Sequence, residues 1–231
     1  MITFDNVTKI YPPYKNKKET VVLRNVSFQI KEGEFLSVVG KSGAGKTTLI
    51  KLLTREEEVT DGKILFDGKD IAKIKKSNLY KLRRRMGIIF QDYKLLATKT
   101  VYENIAYGLE VTGASDLEIK KDVPEILEVV GLSKQAERFP EQLSGGEKQR
   151  AAIARALIHD PEVILADEPT GDLDPYHSKN IVNLLKRIGK TGTTIVLATH
   201  DKEIVNYLGK RVVTLRNNKV ISDVENGRFR L

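Results

Sequence analysis

Phe35-Leu36-Ser37-Val38-Val39-Gly40-Lys41-Ser42-Gly43-Ala44-Gly45-Lys46-Thr47-Thr48-Leu49-Ile50-Lys51-Leu52-Leu53 is the stretch on which both fold and chemistry turn. Its first five, mostly apolar residues read as a short strand that Gly40 ends. From Gly40 to Thr47 the spacing is G-x-x-x-x-G-K-[ST], in which glycines let backbone N–H groups converge on phosphate oxygens. The residues after Thr47 open a helix, whose positive end favours the same anion. Strand, glycine turn and helix in that order predict a phosphate loop built from Gly40, Ser42, Gly43, Ala44, Gly45, Lys46, Thr47 and Thr48. Lys46 is expected to reach the β- and γ-phosphates, and Thr47 to place its hydroxyl on Mg2+.

Working outward, the N-terminal residues read as short strands: Ile2-Thr3-Phe4, Val21-Val22-Leu23 and Val26-Ser27-Phe28-Gln29-Ile30. A Pro- and Lys-rich connection, Tyr11 to Lys18, separates the first from the second. Asp61-Gly62 and Asp67-Gly68 are expected as turns around the strand Lys63-Ile64-Leu65-Phe66, and Gly87-Ile88-Ile89-Phe90 as a further buried strand. From about residue 92 to 160 the pattern turns helical. Ser115 with Glu118 forms a capping-box spacing, Gly131 sits where a helix would stop, and Pro124 predicts a kink or a fresh helix start. Strands return at Val163-Ile164-Leu165-Ala166 and Thr194-Ile195-Val196-Leu197-Ala198, and a hairpin is expected around Arg216-Asn217-Asn218-Lys219. The whole is an α/β pattern with a helical insertion.

Two acids, Asp167 and Glu168, follow the strand that ends at Ala166. Ligands in open α/β sheets gather outside the carboxyl ends of strands, where these side chains emerge. Asp167 suits the Mg2+ shell, and Glu168 is then the group to polarise an attacking water. Leu143-Ser144-Gly145-Gly146-Glu147 carries a second signal. Ser144 and Glu147 have the S-x-x-E spacing of a capping box, which accounts for them structurally. Two glycines in a first helical turn cost about 1 kcal/mol each relative to alanine, which a cap alone does not require. Bare backbone at a positive helix end suits a phosphate, and a chain that already has one cradle then implies a second subunit.

Leu143-Ser144-Gly145-Gly146-Glu147, upstream of Asp167-Glu168, resembles the signature of the ATP-binding-cassette (ABC) ATPases, and the resemblance covers essentially the whole chain. It implies a P-loop NTPase (RecA-like) α/β core with an N-terminal antiparallel β subdomain and a helical subdomain inserted at about 92–160. It also implies ATP and Mg2+ as cofactors, ATP hydrolysis, and a homodimer in which the signature of one subunit closes over the nucleotide of the other. Gln91 matches the glutamine that senses Mg2+ and the attacking water. Asp172, in Gly171-Asp172-Leu173-Asp174, lies in the loop that crosses the dimer interface. His200 matches the histidine that contacts the γ-phosphate. Tyr11 matches the aromatic that stacks on adenine, with Tyr14 as its rival because the Pro-Pro-Tyr-Lys stretch lengthens the connection. Lys41 departs from the proline common in related loops, and Asp172 from a frequent asparagine.

Residues 49–57 and 91–107 resemble the cell-division branch of the family, which works with an integral membrane partner; branches that export lipoproteins, macrolides or peptides share the cassette. Within 91–107, Tyr93, Leu95, Leu96, Tyr102 and Tyr107 are expected mostly as core, with one or two lining a groove. Members that act on DNA insert long coiled coils, and ribosomal members usually carry two cassettes. This chain shows no sustained heptads and one cassette, so no direct nucleic-acid partner is expected.

Composition agrees with a single globular domain of 231 residues. No apolar run approaches the roughly 20 residues needed to span a bilayer, and the first residues lack a secretory pattern. The expected place is the cytoplasmic face of the plasma membrane, reached through the partner. With no cysteine, disulfides, thiolate metal sites and cysteine catalysis are excluded. The net charge of +8 includes the basic run Lys73, Lys75, Lys76, Lys81, Arg83, Arg84 and Arg85, which reads either as a solvated face or as a surface near anionic lipid.

Overall fold

The computed structural model describes residues 1–13 and 18–229. In chain order the elements are β1 (Ile2–Tyr11), β2 (Thr20–Ile30), β3 (Phe35–Val39), α1 (Lys46–Leu53), β4 (Asp61–Phe66), β5 (Lys69–Asp70), α2 (Leu79–Arg83) and β6 (Met86–Ile89). They continue as α3 (Val101–Glu110), α4 (Asp116–Val129), α5 (Gly145–Leu157), β7 (Val163–Asp167), α6 (Pro175–Lys190), β8 (Thr194–Thr199), α7 (Lys202–Leu208), β9 (Arg211–Arg216) and β10 (Lys219–Val224). Two compact units result: Met1–Arg83 joined by the segment from Thr194 onward, and Arg84–Thr193. The expected helical stretch, 92–160, lies inside the second unit. The α/β fold with an N-terminal antiparallel layer is the one observed.

In the first unit, β2, β1, β4 and β5 form an antiparallel sheet in that order. Phe4 and Phe28 are cross-strand partners whose rings stack at 4.6 Å, a pairing that helps hold β1 to β2. A second set runs β10, β9, β3, β8, with β3 parallel to both β8 and β9. Every residue of β3 and β8 is buried, which is why both read as continuous apolar runs rather than alternating ones. The expected hairpin is present: Asn217 (φ 49°) and Asn218 (φ 67°) supply the two left-handed residues of a tight turn between β9 and β10.

Two expectations, of separate strands around Asn25 and of a turn at Asp61-Gly62, need correction. Val21–Leu23 and Val26–Ile30 are one strand, because Asn25 takes φ 49° and stays tied to β1 through its own N–H to the Thr8 hydroxyl. An asparagine tolerates that backbone, so the break in pattern is a bulge and not a turn. Asp61-Gly62 likewise belongs to β4. A Cβ on Gly62 would lie 2.3 Å from the Asn6 carbonyl oxygen, so the glycine admits the neighbouring strand. Asp67-Gly68 does form the expected turn, with φ of 49° and 73°.

In the second unit, β6 and β7 pair in parallel, and α3, α4, α5 and α6 surround a core that includes Ile105, Val123, Leu127, Leu132, Ile153 and Ile164. Ser115 and Glu118 make the expected capping box, and Gly131 (φ 69°) follows the end of α4. Pro124 starts no new helix; α4 runs through it. The N–H that proline lacks would have served the carbonyl of Lys120, an exposed residue where water substitutes. Thr100 and Glu103 form a further capping box at α3. The basic run is partly structural. Arg83 donates to the carbonyls of Thr54 and Arg55, and in the second unit Arg84 donates to the carbonyl of Val111 while Arg85 pairs with Glu162.

Helix α5 approaches β6 so closely at Gly87 that an added Cβ would sit 2.2 Å from the Ala156 carbonyl oxygen and 2.6 Å from Ile164 Cδ1. Gly87→Ala is therefore expected to destabilise the protein by about 1–3 kcal/mol through overpacking, read as a lower urea midpoint. An unchanged midpoint would remove Gly87 from the packing account.

Candidate functional site

The first unit presents a loop between β3 and α1. Gly45 caps α1 in a left-handed conformation (φ 100°), and no side chain caps the helix. A helix start without a side-chain cap is the arrangement that suits an anion. Gly45 is required twice over, since a Cβ there would also lie 2.7 Å from Leu23 Cδ2. Lys46 is buried, and its ammonium donates to the carbonyls of Gly40 (2.9 Å) and Lys41 (3.3 Å), arching back over the loop. Thr47 is exposed, as are Lys41, Ser42 and Gly43, whereas Thr48 is buried.

Register brings His200 to the same edge. Val39 and Thr199 are Cα partners in the parallel pair of β3 and β8, so Gly40 and His200 leave the sheet at matching positions. His200 is exposed, and Asp201 after it caps α7 by accepting from the N–H groups of Glu203 and Ile204. Tyr11 ends β1 and is half-buried, with the Lys9 ammonium 4.7 Å from its ring centroid. Tyr14 lies outside the described residues.

The second unit repeats the arrangement with other chemistry. Ile89 pairs with Ala166, so Gln91 after β6 and Asp167-Glu168 at the end of β7 emerge at one carboxyl edge. Glu168 has φ 49°, an uncommon backbone for a non-glycine residue that costs of order 1–3 kcal/mol. Gln91 donates through Nε2 to Asp172 Oδ1 at 3.0 Å. A Cβ on Gly171 would meet the same amide at 2.9 Å, so loop 171–174 lies directly against Gln91.

At the start of α5 the capping box is complete. Ser144 accepts from the Glu147 N–H, Glu147 Oε2 accepts from the Ser144 N–H and hydroxyl, and Gln135 donates to Glu147 Oε1. The two glycines after Ser144 have a packing reason that spacing alone does not reveal. A Cβ on Gly145 would stand 3.2 Å from both Leu173 Cδ2 and the Tyr93 hydroxyl. One on Gly146 would stand 2.8 Å from His177 Cδ2. His177 and Tyr93 are therefore neighbours of the signature turn, and no local pattern around the glycines points to either.

The aromatic stretch departs from expectation. None of Tyr93, Leu95, Leu96, Tyr102 and Tyr107 is fully buried; the first four are half-buried and Tyr107 is exposed. Polar clamps shape this segment instead of apolar filling. Buried Asn104 bonds the N–H and carbonyl of Leu96 and the carbonyl of Lys99, while Arg155 donates to the carbonyls of Tyr93 and Lys94.

The sequence profile of the ABC transporter family matches residues 23–171. The chain is 50% identical over 210 residues to the cell division ATP-binding protein FtsE of Streptococcus pneumoniae serotype 2, covering 91% of each chain. It is 46% identical over 229 residues to FtsE of Bacillus subtilis, covering 99% of this chain and 98% of the relative. Among solved structures it resembles the dimeric post-hydrolysis state of the ATP-binding cassette MJ0796 bound to ADP and Pi. There the TM-score is 0.88 at 35% identity, over 99% of this chain and 100% of that one.

The Ser144 N–H and hydroxyl hold the Glu147 carboxyl below its ordinary value of 4.5. A lowered folded-state pKa gives stability that is present above 4.5 and lost as pH falls through the folded value. Ser144→Ala is expected to cost about 1 kcal/mol near neutral pH. The smaller gap between the wild type and Glu147→Gln should close on acidification below the carboxyl's range. Denaturant melts along a pH series check this, and a gap that stays constant would discard the cap.

Proposed function

The chain belongs to the ABC transporter family, and from that premise we propose that it serves cell division as an FtsE-like ATPase that moves a membrane partner. It hydrolyses ATP; the proposal concerns how, and to what end. Two copies close on ATP, a reading supported by the similar MJ0796 cassette, which is dimeric in a post-hydrolysis state bound to ADP and Pi. Their motion passes to an FtsX-like integral membrane protein and so to the control of cell-wall hydrolysis. No helix among the described residues is long and apolar enough to cross a membrane, which suits peripheral attachment at the cytoplasmic face through that partner.

The observation that carries this reading is the gathering of reactive groups at carboxyl edges. The phosphate loop and His200 share one in the first unit, and Gln91, Asp167 and Glu168 share one in the second. Lys46 and the open N–H groups at the start of α1 take the β- and γ-phosphates, Tyr11 receives the adenine, and His200 steadies the γ-phosphate. Thr47, Asp167 and Gln91 offer hydroxyl, carboxylate and carboxamide oxygens, a hard donor set that suits Mg2+. When bound, the ion neutralises charge building on the β- and γ-phosphates. Glu168 accepts a proton from a water whose oxygen bonds to the γ-phosphorus, while the bond to the bridging oxygen breaks and leaves ADP. The turn at Ser144, Gly145, Gly146 and Glu147 faces the nucleotide of the other copy, and Asp172 lies in the loop that meets it. The half-buried side chains between Tyr93 and Tyr107 supply the surface for the membrane partner.

Glu168→Gln is expected to bind ATP with near wild-type affinity and to lose turnover by about 10²–10⁴-fold. It should also elute as a dimer with ATP and Mg2+ in gel filtration. Wild-type turnover in this variant would remove Glu168 from the chemistry, and a monomer with saturating nucleotide would remove the two-copy site. Affinity capture from membranes then tests the division role. A four-span protein with a large outer domain supports it, whereas recovery of an exporter overturns it.

A further inference from the structure

One imidazole connects the start of α5 to the loop before α6, and none of the roles above uses it. Asp174 caps α6 by accepting from the N–H groups of Tyr176 and His177 through Oδ1, and its Oδ2 pairs with His177 Nδ1. The ring is thus fixed by the cap of its own helix. Its other edge rests on backbone: the position of a Cβ on Gly146 lies 2.8 Å from His177 Cδ2, 3.3 Å from Cγ and 3.6 Å from Nε2. The Tyr176 ring meets the imidazole edge-on at 5.4 Å between centroids. Beside this seat, Gly145 packs on Leu173 and the Tyr93 hydroxyl, and Gln91 holds Asp172.

We propose that His177 is a positioning residue for the signature turn, setting the distance between the first N–H groups of α5 and loop 171–174. A helix start that binds a phosphate works only if its N–H groups stand within a few tenths of an ångström of their acceptor, and small misplacements cost large factors in rate. A capping box fixes the backbone of the first turn of α5, and the close approach to Gly87 at Ala156 holds its far end, but neither meets the first turn from the side of α6. The His177 ring prevents rocking toward α6, because Asp174 holds it from behind and Gly146 offers no side chain that could yield. It also explains why the second glycine is required in a helix that is already capped, beyond the bare surface a phosphate needs. The proposal rests on the reading that this turn engages the nucleotide of a second copy.

A double-mutant comparison tests it. His177→Ala is expected to lower kcat by about tenfold or more, with the affinity of the resting protein for ATP unchanged, since the phosphate loop is untouched. Gly146→Ala should lower kcat further, by driving the new methyl group into the ring. Adding His177→Ala to Gly146→Ala should recover activity to the level of His177→Ala alone. A double variant no better than Gly146→Ala would overturn the proposal, as would a His177→Ala variant within twofold of the wild type. Thermal melts of the same four proteins guard against misfolding: Gly146→Ala alone should melt lower, and the double variant should regain the difference. No regain would overturn the seat itself. Failure of the underlying reading looks different, because Glu168→Gln would then remain monomeric with ATP whatever stands at 177.

Discussion

Where a strand ends in a parallel pair decides which groups can act together, and in this protein register makes that decision. Val39 aligned with Thr199 places the glycine loop and His200 at one edge, and Ile89 aligned with Ala166 places Gln91 beside the two acids. A slip of one residue in either pair would send each side chain to the opposite face, where differently shaped neighbours stand, so close packing on both faces protects the register and the register protects the site. The apolar residues of β3, β7 and β8 therefore position the groups that follow them, because their burial fixes where each strand ends.

Local conformation then adds what register cannot supply. Left-handed backbone recurs in turns of both units, and it also stands at these edges: Gly43 and Gly45 in the phosphate loop, and Glu168 after β7. The glycines adopt it at no steric cost, while Glu168 does so under strain. The two helix starts also differ in kind. Helix α1 has no side-chain cap at its start, with Lys46 folded over the loop. Helix α5 is capped by Ser144 and braced by Glu147, so its N-terminus is rigid before any ligand arrives.

Much of this is legible from the chain because its signals are short. Gly40 to Thr47, the boxes at Ser115 and Ser144, and the Asn217-Asn218 hairpin each depend on residues within a few positions of one another, and the local conformation of each is the one its residues suggest. The family resemblance extends that reach to Gln91, Asp172 and His200, which spacing alone would leave among ordinary polar residues. Readings failed where a distant neighbour decided the outcome. Asn25 looks like a break until β1 is there to bond it, and Asp61-Gly62 looks like a turn until Asn6 lies beside the glycine. Tyr93, Leu95, Leu96, Tyr102 and Tyr107 look like core, yet the segment is held by Asn104 and Arg155, which satisfy its backbone and leave the apolar groups partly outside.

The glycines show the boundary most clearly. A glycine demanded by its own φ, such as Gly43 at 78°, belongs to a turn whose neighbours in sequence announce it. A glycine demanded by what approaches it carries no such announcement, since Gly87 reads as one more small residue in a strand until α5 is placed over it. Gly145 and Gly146 belong to this second kind, because both sit in regular helix with nothing unusual in their own backbone. Their neighbours Leu173 and Tyr93, from loops, and His177, from the first turn of α6, lie far along the chain, so the sequence shows the motif but not the contacts that keep it narrow. A motif recognised only as bare backbone for a phosphate is then half explained. The other half is a packing surface, and a substitution there disturbs the helix start even before any nucleotide is bound.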